Sequence, residues 1–152
     1  MWERWDGIRP DSSFEDPGMN SFNHYAFGAV GDWMYQNIGG IDVDPAAPGY
    51  RRSRIAPRPG AGLTSAHASL ETVYGTLTSA WRLNQGGQRF ELDVTVPANT
   101  SAAITLWDAR LDHVREAGVS LNAREGVRSA RQRGKDVVVE VGSGRYSFAV
   151  TP

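Results

Sequence analysis

The chain has 152 residues, of which 40% are hydrophobic and 22% charged, and its formal net charge is -1. That length allows one domain, or one small domain with a piece of another, and the near-neutral balance excludes the electrostatic footprint of a nucleic-acid or anionic-membrane binder. Cysteine is absent, which excludes disulfides and thiolate metal sites.

Charge is distributed unevenly. Residues 1–48 carry a net of -6 and residues 49–152 a net of +5. The break falls at Pro45, Pro48 and Gly49, which predicts two parts, residues 1–44 and 45–152. No apolar run approaches the length of a membrane span, and the N-terminus carries no apolar signal-peptide core. A start this close to a Trp-rich acidic string reads as the edge of a larger region rather than the start of a domain.

The first string, Trp2-Glu3-Arg4-Trp5-Asp6-Gly7, sets a carboxylate between two indoles. Ile8 to Gly18, with Pro10, Pro17 and Gly18, has the composition of a shaped loop. Met19 to Ile38 is the strongest helical signal. Phe22, Tyr25, Ala26, Ala29, Val30, Trp33, Met34 and Ile38 fall on one stripe of helical period. Asn20 or Ser21 is placed to cap the N-terminus, and Gly39-Gly40 to end the helix in the left-handed region. Gly28 and Gly31 lie off the stripe and each cost about 1 kcal/mol relative to Ala. A helix that tolerates both is expected to be buried on two sides, yet the sequence supplies no second convincing helix.

Ile41 to Gly49 reads as a linker. From Tyr50 the period changes to two. Strands are expected at 50–55, 63–70, 76–83, 88–96, 102–107, 127–131, 137–141 and 146–150, with a short one near 118–121. The 108–115 stretch is ambiguous between a helical turn and a loop. Asn84-Gln85-Gly86-Gly87 is a hairpin turn signal. The fold class is therefore mainly β: an antiparallel β-sandwich of about seven or eight strands preceded by one long α-helix.

Two places carry possible chemistry. Glu3 between Trp2 and Trp5 suits a sugar, since indole packs on the C–H face of a pyranose and a carboxylate accepts from its hydroxyls. Glycoside hydrolysis uses two carboxyls. Asp6, Asp11, Glu15 and Asp16 are the nearby candidates for the second, and their spacing singles out none. His24, near the helix N-terminus, is placed to donate to a hydroxyl. His67 and His113 read as surface residues, no cluster has metal-ligand spacing, and no cofactor is expected. Arg51, Arg52, Arg54 and Arg58 read either as a solvated strand face or as a docking face for the acidic N-terminal part.

Several strings together are specific. Trp2-Glu3-Arg4-Trp5, Ser21-Phe22-Asn23-His24-Tyr25-Ala26-Phe27-Gly28, Ala47-Pro48-Gly49-Tyr50, Pro57-Arg58-Pro59-Gly60 and Tyr74-Gly75 resemble the bacterial α-L-rhamnosidases of glycoside hydrolase family 78. The likeness runs as far as Gly142-Ser143-Gly144-Arg145-Tyr146. It implies an (α/α)6 catalytic barrel followed by a C-terminal β-sandwich, this chain holding the last barrel segment and the sandwich. It also implies removal of terminal α-L-rhamnose from glycosides with inversion, Glu3 as general base, and His24 in the sugar pocket with Trp2 and Trp5 near it. The family's general acid lies earlier in the barrel and matches no position here. The isolated chain is therefore expected to be inactive, its partner being the missing part of the barrel. The alternatives are a non-catalytic carbohydrate-binding or structural β-sandwich, and a module completing a barrel supplied by another chain.

Overall fold

The computed structural model describes residues 2–19, 21–60, 62–123 and 125–151. The chain forms two compact units, Met1–Met34 and Tyr35–Pro152. As the period-two pattern predicts, the second unit is mainly β. Its described residues form eleven strands in two sheets.

The first sheet contains β1 (Ile41–Val43), β2 (Arg52–Ile55), β6 (Ser101–Leu106), β10 (Asp136–Val141) and β9 (Val127–Arg133), in that spatial order. The second contains β3 (Ser65–Thr72), β4 (Gly75–Asn84), β5 (Arg89–Val96), β11 (Gly144–Val150), β7 (Val114–Glu116) and β8 (Val119–Ser120). Every pairing is antiparallel except β2 with β6, which run parallel. The ambiguous stretch resolves into a short 3-10 turn, Leu111–His113, running into β7.

Alternation builds the core. In β5, Leu92, Val94 and Val96 are buried, and they face the same core as Leu77 and Trp81 of β4 and Phe148 of β11. Ile55, Ile104, Leu106, Val137 and Val139 supply the other sheet's inner side. Each fully buried side chain of this kind contributes about 1.5–3 kcal/mol of transfer free energy, which is why the pattern fixes the register. The β4–β5 hairpin turns where expected, with Gly86 and Gly87 at positive φ.

β1 lies where the sequence reads as linker. Ile41 is paired with Ile55 and is 1% exposed, so burial on the sheet overrides the turn-rich composition. The chain enters β1 through Gly40, whose φ is +75°. A Cβ there would stand 2.1 Å from the Pro57 nitrogen, while the Gly40 carbonyl accepts from the Ala56 N–H at 2.8 Å. Gly40→Ala is therefore expected to cost at least the roughly 1–3 kcal/mol of a strained backbone position. A thermal melt checks this, and an unchanged midpoint would contradict it.

The helical run also departs from expectation. It starts at Tyr25, not Met19, as a 3-10 turn (Tyr25–Gly28), and continues as a short α-helix, α1 (Ala29–Trp33). It finishes as a π-helical turn, Met34–Gly39. Asn20 lies outside the described residues. Ser21 does not cap, and the residue preceding the first helical turn, His24, makes no side-chain cap bond. In the sandwich unit the end of this run is held by two bonds: Trp81 Nε1–H donates to the Ile38 carbonyl at 2.7 Å, and the Tyr35 hydroxyl to the Ser69 carbonyl at 3.0 Å.

No residue of α1 is buried. Tyr25 is 88% exposed, Val30 58% and Trp33 54%. An added Cβ at Gly28 or Gly31 would meet nothing within 4 Å. The expectation of burial on two sides is thus not met, for a physical reason. Among the described residues there is no second α-helix to cover the stripe, and apolar period alone then leaves a short, irregular helix.

Candidate functional site

The first unit folds its loop on itself before it presents any chemistry. Ile8 bridges Phe14, the Arg9 N–H donates to the Ser13 carbonyl at 2.8 Å, and the Glu15 N–H to the Gly7 carbonyl at 3.1 Å. Ser12 takes a positive φ of 66° at the tip.

This closed loop lies between the two strings that the sequence marks out, and the two strings meet. The Glu3 N–H donates to the Ser21 carbonyl at 2.7 Å, and the Ser21 N–H returns a bond to Glu3 Oε2 at 3.1 Å. This reciprocal pair fixes the Glu3 backbone and carboxylate together. The other oxygen, Oε1, faces His24 Nε2 at 3.8 Å, beyond hydrogen-bond length, with both side chains about a quarter exposed. The Ser21 contact occupies one of about four lone-pair positions that a carboxylate offers.

Aromatic rings frame the pair. Trp2 meets Phe22 edge-on at 4.9 Å and lies 5.9 Å from Trp5, and Phe22 is 6.0 Å from Phe14. His24 stacks on Tyr25 with their planes 3° apart. Trp5 is 82% exposed, so most of its ring is available to a ligand. Glu3, His24, Trp2 and Trp5 therefore form one cluster. Ser21, Phe22 and Tyr25 also build it. Period alone assigns Phe22 and Tyr25 to a helix stripe and Ser21 to a cap, so no sequence signal marks them as site residues.

The other acids of the N-terminal loop are already engaged. Asp6 accepts a bidentate pair from Arg4 at 2.9 and 2.7 Å, and Glu15 accepts from Arg9. Asp11 accepts from the Ser13 hydroxyl at 2.6 Å, and Asp16 from the Gly18 N–H at 2.8 Å. The Arg4 guanidinium holds the Asp6 carboxyl below its ordinary range, Arg9 does the same for Glu15, and the Ser13 hydroxyl for Asp11. A general acid needs the opposite displacement, since it must keep its proton near neutral pH. Asp6, Asp11 and Glu15 are displaced the other way. Among the described residues no group of three or more His, Asp or Glu could hold a metal ion.

In the sandwich unit the arginine run is partly neutralised. Arg52 pairs with Glu140 at 2.8 Å and with Asp44 at 3.4 Å, and Arg54 with Asp44 at 3.7 Å. His67 is exposed and His113 half-buried.

Comparison with known proteins identifies the family. The model described as the bacterial alpha-L-rhamnosidase 6 hairpin glycosidase domain matches residues 1–38, and that of the bacterial alpha-L-rhamnosidase C-terminal domain matches residues 40–121. An α-L-rhamnosidase of Streptomyces avermitilis is 44% identical over 151 residues, covering 99% of this chain and 13% of that protein. One from Formosa agariphila is 34% identical over 148 residues, covering 97% and 16%. The crystal structure of the Streptomyces avermitilis α-L-rhamnosidase complexed with L-rhamnose superposes with a TM-score of 0.74 at 42% identity, over 99% of this chain and 14% of that one. The α-L-rhamnosidase from Dictyoglumus thermophilum gives 0.75 at 29% identity, over 100% and 16%. The chain thus spans only 13–16% of the length of these relatives. With the C-terminal-domain model alone matching more than half of its residues, the chain belongs to the bacterial α-L-rhamnosidase family.

Proposed function

We propose that this chain is the C-terminal part of an inverting α-L-rhamnosidase and contributes half of its active site. Glu3 is the general base, His24 contacts the sugar, and Trp2 and Trp5 line the approach. The observation that carries this reading is the reciprocal Glu3–Ser21 clamp, which sets a carboxylate beside His24 within a ring of aromatic side chains. In the proposed reaction Glu3 takes a proton from water as the water attacks the anomeric carbon of a terminal α-L-rhamnosyl group. An acid on the opposite side protonates the departing oxygen. Inversion requires the two carboxyls to stand about 6.5–9.5 Å apart, leaving room for that water.

The acid belongs, in this reading, to the rest of an (α/α)6 barrel. The engaged carboxylates of the N-terminal loop support this, because three of them are displaced away from acid function. The exposed stripe of Tyr25, Val30 and Trp33 supports it as well, being an apolar face that helical neighbours would cover. The two-part division, barrel segment then sandwich, is part of the proposal. The pairing of β1 with β2 favours drawing the join just ahead of Ile41. A base without its acid forgoes a proton-transfer contribution of roughly 10²–10⁴-fold.

The test is a transplant. This chain replaces the corresponding C-terminal segment of the Streptomyces avermitilis α-L-rhamnosidase, and hydrolysis of an aryl α-L-rhamnoside is followed. The chimera is expected to turn over and the isolated chain to show none. Turnover by the isolated chain, or a folded but inert chimera, would overturn the proposal.

A further inference from the structure

The outer face of the five-stranded sheet carries a trough of about 680 Å³. It lies wholly within the sandwich unit, so the rhamnosidase reading does not call on it. Its floor is made of small side chains, Ala103 and Thr105 of β6 and Ala56 just beyond β2, with Val138 of β10 beside them. Register accounts for this floor. Val138 is opposite Thr105 and Arg131, Glu140 is opposite Ala103, and Ala103 is opposite Arg54, so the outward positions of four strands come into line.

The two ends of the trough differ in charge. At one end Asp42, Asp44 and Glu140 accompany Arg52 and Arg54, and four ion pairs of 2.8–3.9 Å, one of them from Arg131, balance them. At the other end Arg58 lies over the Trp107 ring, 4.0 Å from its centroid, with Arg133 also lining the wall. No ion pair ties Arg58 or Arg133 among the described residues, and both are exposed. The Trp107 ring is itself fixed, its Nε1–H donating to the Ala56 carbonyl at 3.3 Å. Five arginines against three carboxylates leave the lining with a surplus of positive charge, and the surplus sits at the Trp107 end.

We propose that this trough is a binding site for an acidic sugar, a uronate residue of a glycan. The Arg58 guanidinium on a fixed indole, with Arg133 in the same wall, is matched to one carboxylate, which arginine binds through paired N–H donors. The far end offers what such a ligand's hydroxyls require: Asp42 and Glu140 as acceptors, Arg52 and Arg54 as donors. The small floor admits a ring lying flat on the sheet. A bare oxyanion would use the Trp107 end alone, whereas a neutral sugar would leave the Arg58 and Arg133 guanidinium groups uncompensated.

The experiment is an NMR titration of the full chain, following the Trp107 indole signal, assigned by its loss in Trp107→Phe. D-glucuronate, D-glucose and sodium sulfate are added at matched ionic strength. Saturable shifts with glucuronate, and much weaker ones with glucose and with sulfate, are expected. Arg58→Ala/Arg133→Ala should weaken glucuronate binding about tenfold or more, since both charge-assisted contacts go. The conservative Arg133→Gln should weaken it to a smaller extent. Both positions are exposed, so the thermal midpoint of each variant should match that of the parent. The absence of a saturable shift, equal binding of sulfate, equal binding of glucose, or unchanged binding in the folded double variant would each overturn the proposal.

Discussion

Glu3→Gln, made in the chimera that carries this chain on a complete barrel, is expected to lower kcat by about 10²–10⁴-fold with little change in KM. The amide keeps the side chain's shape, and its oxygen still accepts the Ser21 N–H, so the clamp at 3.1 Å survives the substitution. What disappears is the ability to take a proton from the attacking water. A base acts in the transition state and adds little to ground-state binding, hence the split between kcat and KM. Steady-state kinetics on an aryl α-L-rhamnoside decides it. Near-parental kcat would remove Glu3 from the base role, and a rise in KM at constant kcat would make it a sugar contact instead.

Phe148→Ala is expected to cost about 3–5 kcal/mol. Phe148 is 1% exposed and stacks on Tyr146 with centroids 6.1 Å apart. Its strand, β11, is paired on both sides, with β5 and with β7, so neither neighbour can close over the space left behind. Against a total stability of about 5–15 kcal/mol for an ordinary domain, that loss lowers the melting temperature by on the order of 10 °C or more. Arg145→Ala in the same strand, at an exposed position, should stay within about 0.5 kcal/mol. Chemical denaturation of the two variants side by side provides the comparison. A Phe148→Ala protein as stable as the Arg145→Ala protein would show that this core is not organised around β11.

The sandwich was legible because its signals are local. Leu92, Val94 and Val96 alternate with polar residues, and Gly86-Gly87 marks the turn that pairs them with β4. β1 was not legible, because Asp42, Asp44 and Pro45 carry a loop composition. Only its pairing with β2, across a gap that includes Pro48 and Gly49, makes it a strand. The helix illustrates the converse. A regular apolar stripe predicted twenty residues of helix, but period does not supply a partner. Without one, the described run is a 3-10 turn, a single α turn and a π turn.

The site was legible in part. The residue types in Trp2–Trp5 and in His24 suggested sugar chemistry, and the family resemblance gave them roles. The contact that joins them was hidden. Ser21 holds Glu3 through its backbone, which any residue could provide, so no side-chain pattern announces it. The engagement of Asp6 by Arg4 two residues away is likewise a matter of loop geometry. The trough was beyond sequence reading for a topological reason. Arg58, Trp107 and Arg133 are far apart in the chain, and the crossover order β2–β6–β10–β9 brings them to one face.

The role of Glu3 is most directly tested by asking what replaces it. Glu3→Ala in the chimera removes the proposed base and, on that reading, opens space beside the anomeric carbon. Azide needs no deprotonation to attack, so it stands in for the activated water when an aryl α-L-rhamnoside with a good leaving group is supplied. Azide is expected to restore turnover, with the β-L-rhamnosyl azide as product, formed as the phenolate leaves from the opposite face. Failure of azide to restore turnover in the folded variant, or formation of the α-azide, would contradict an inverting site with Glu3 as its base.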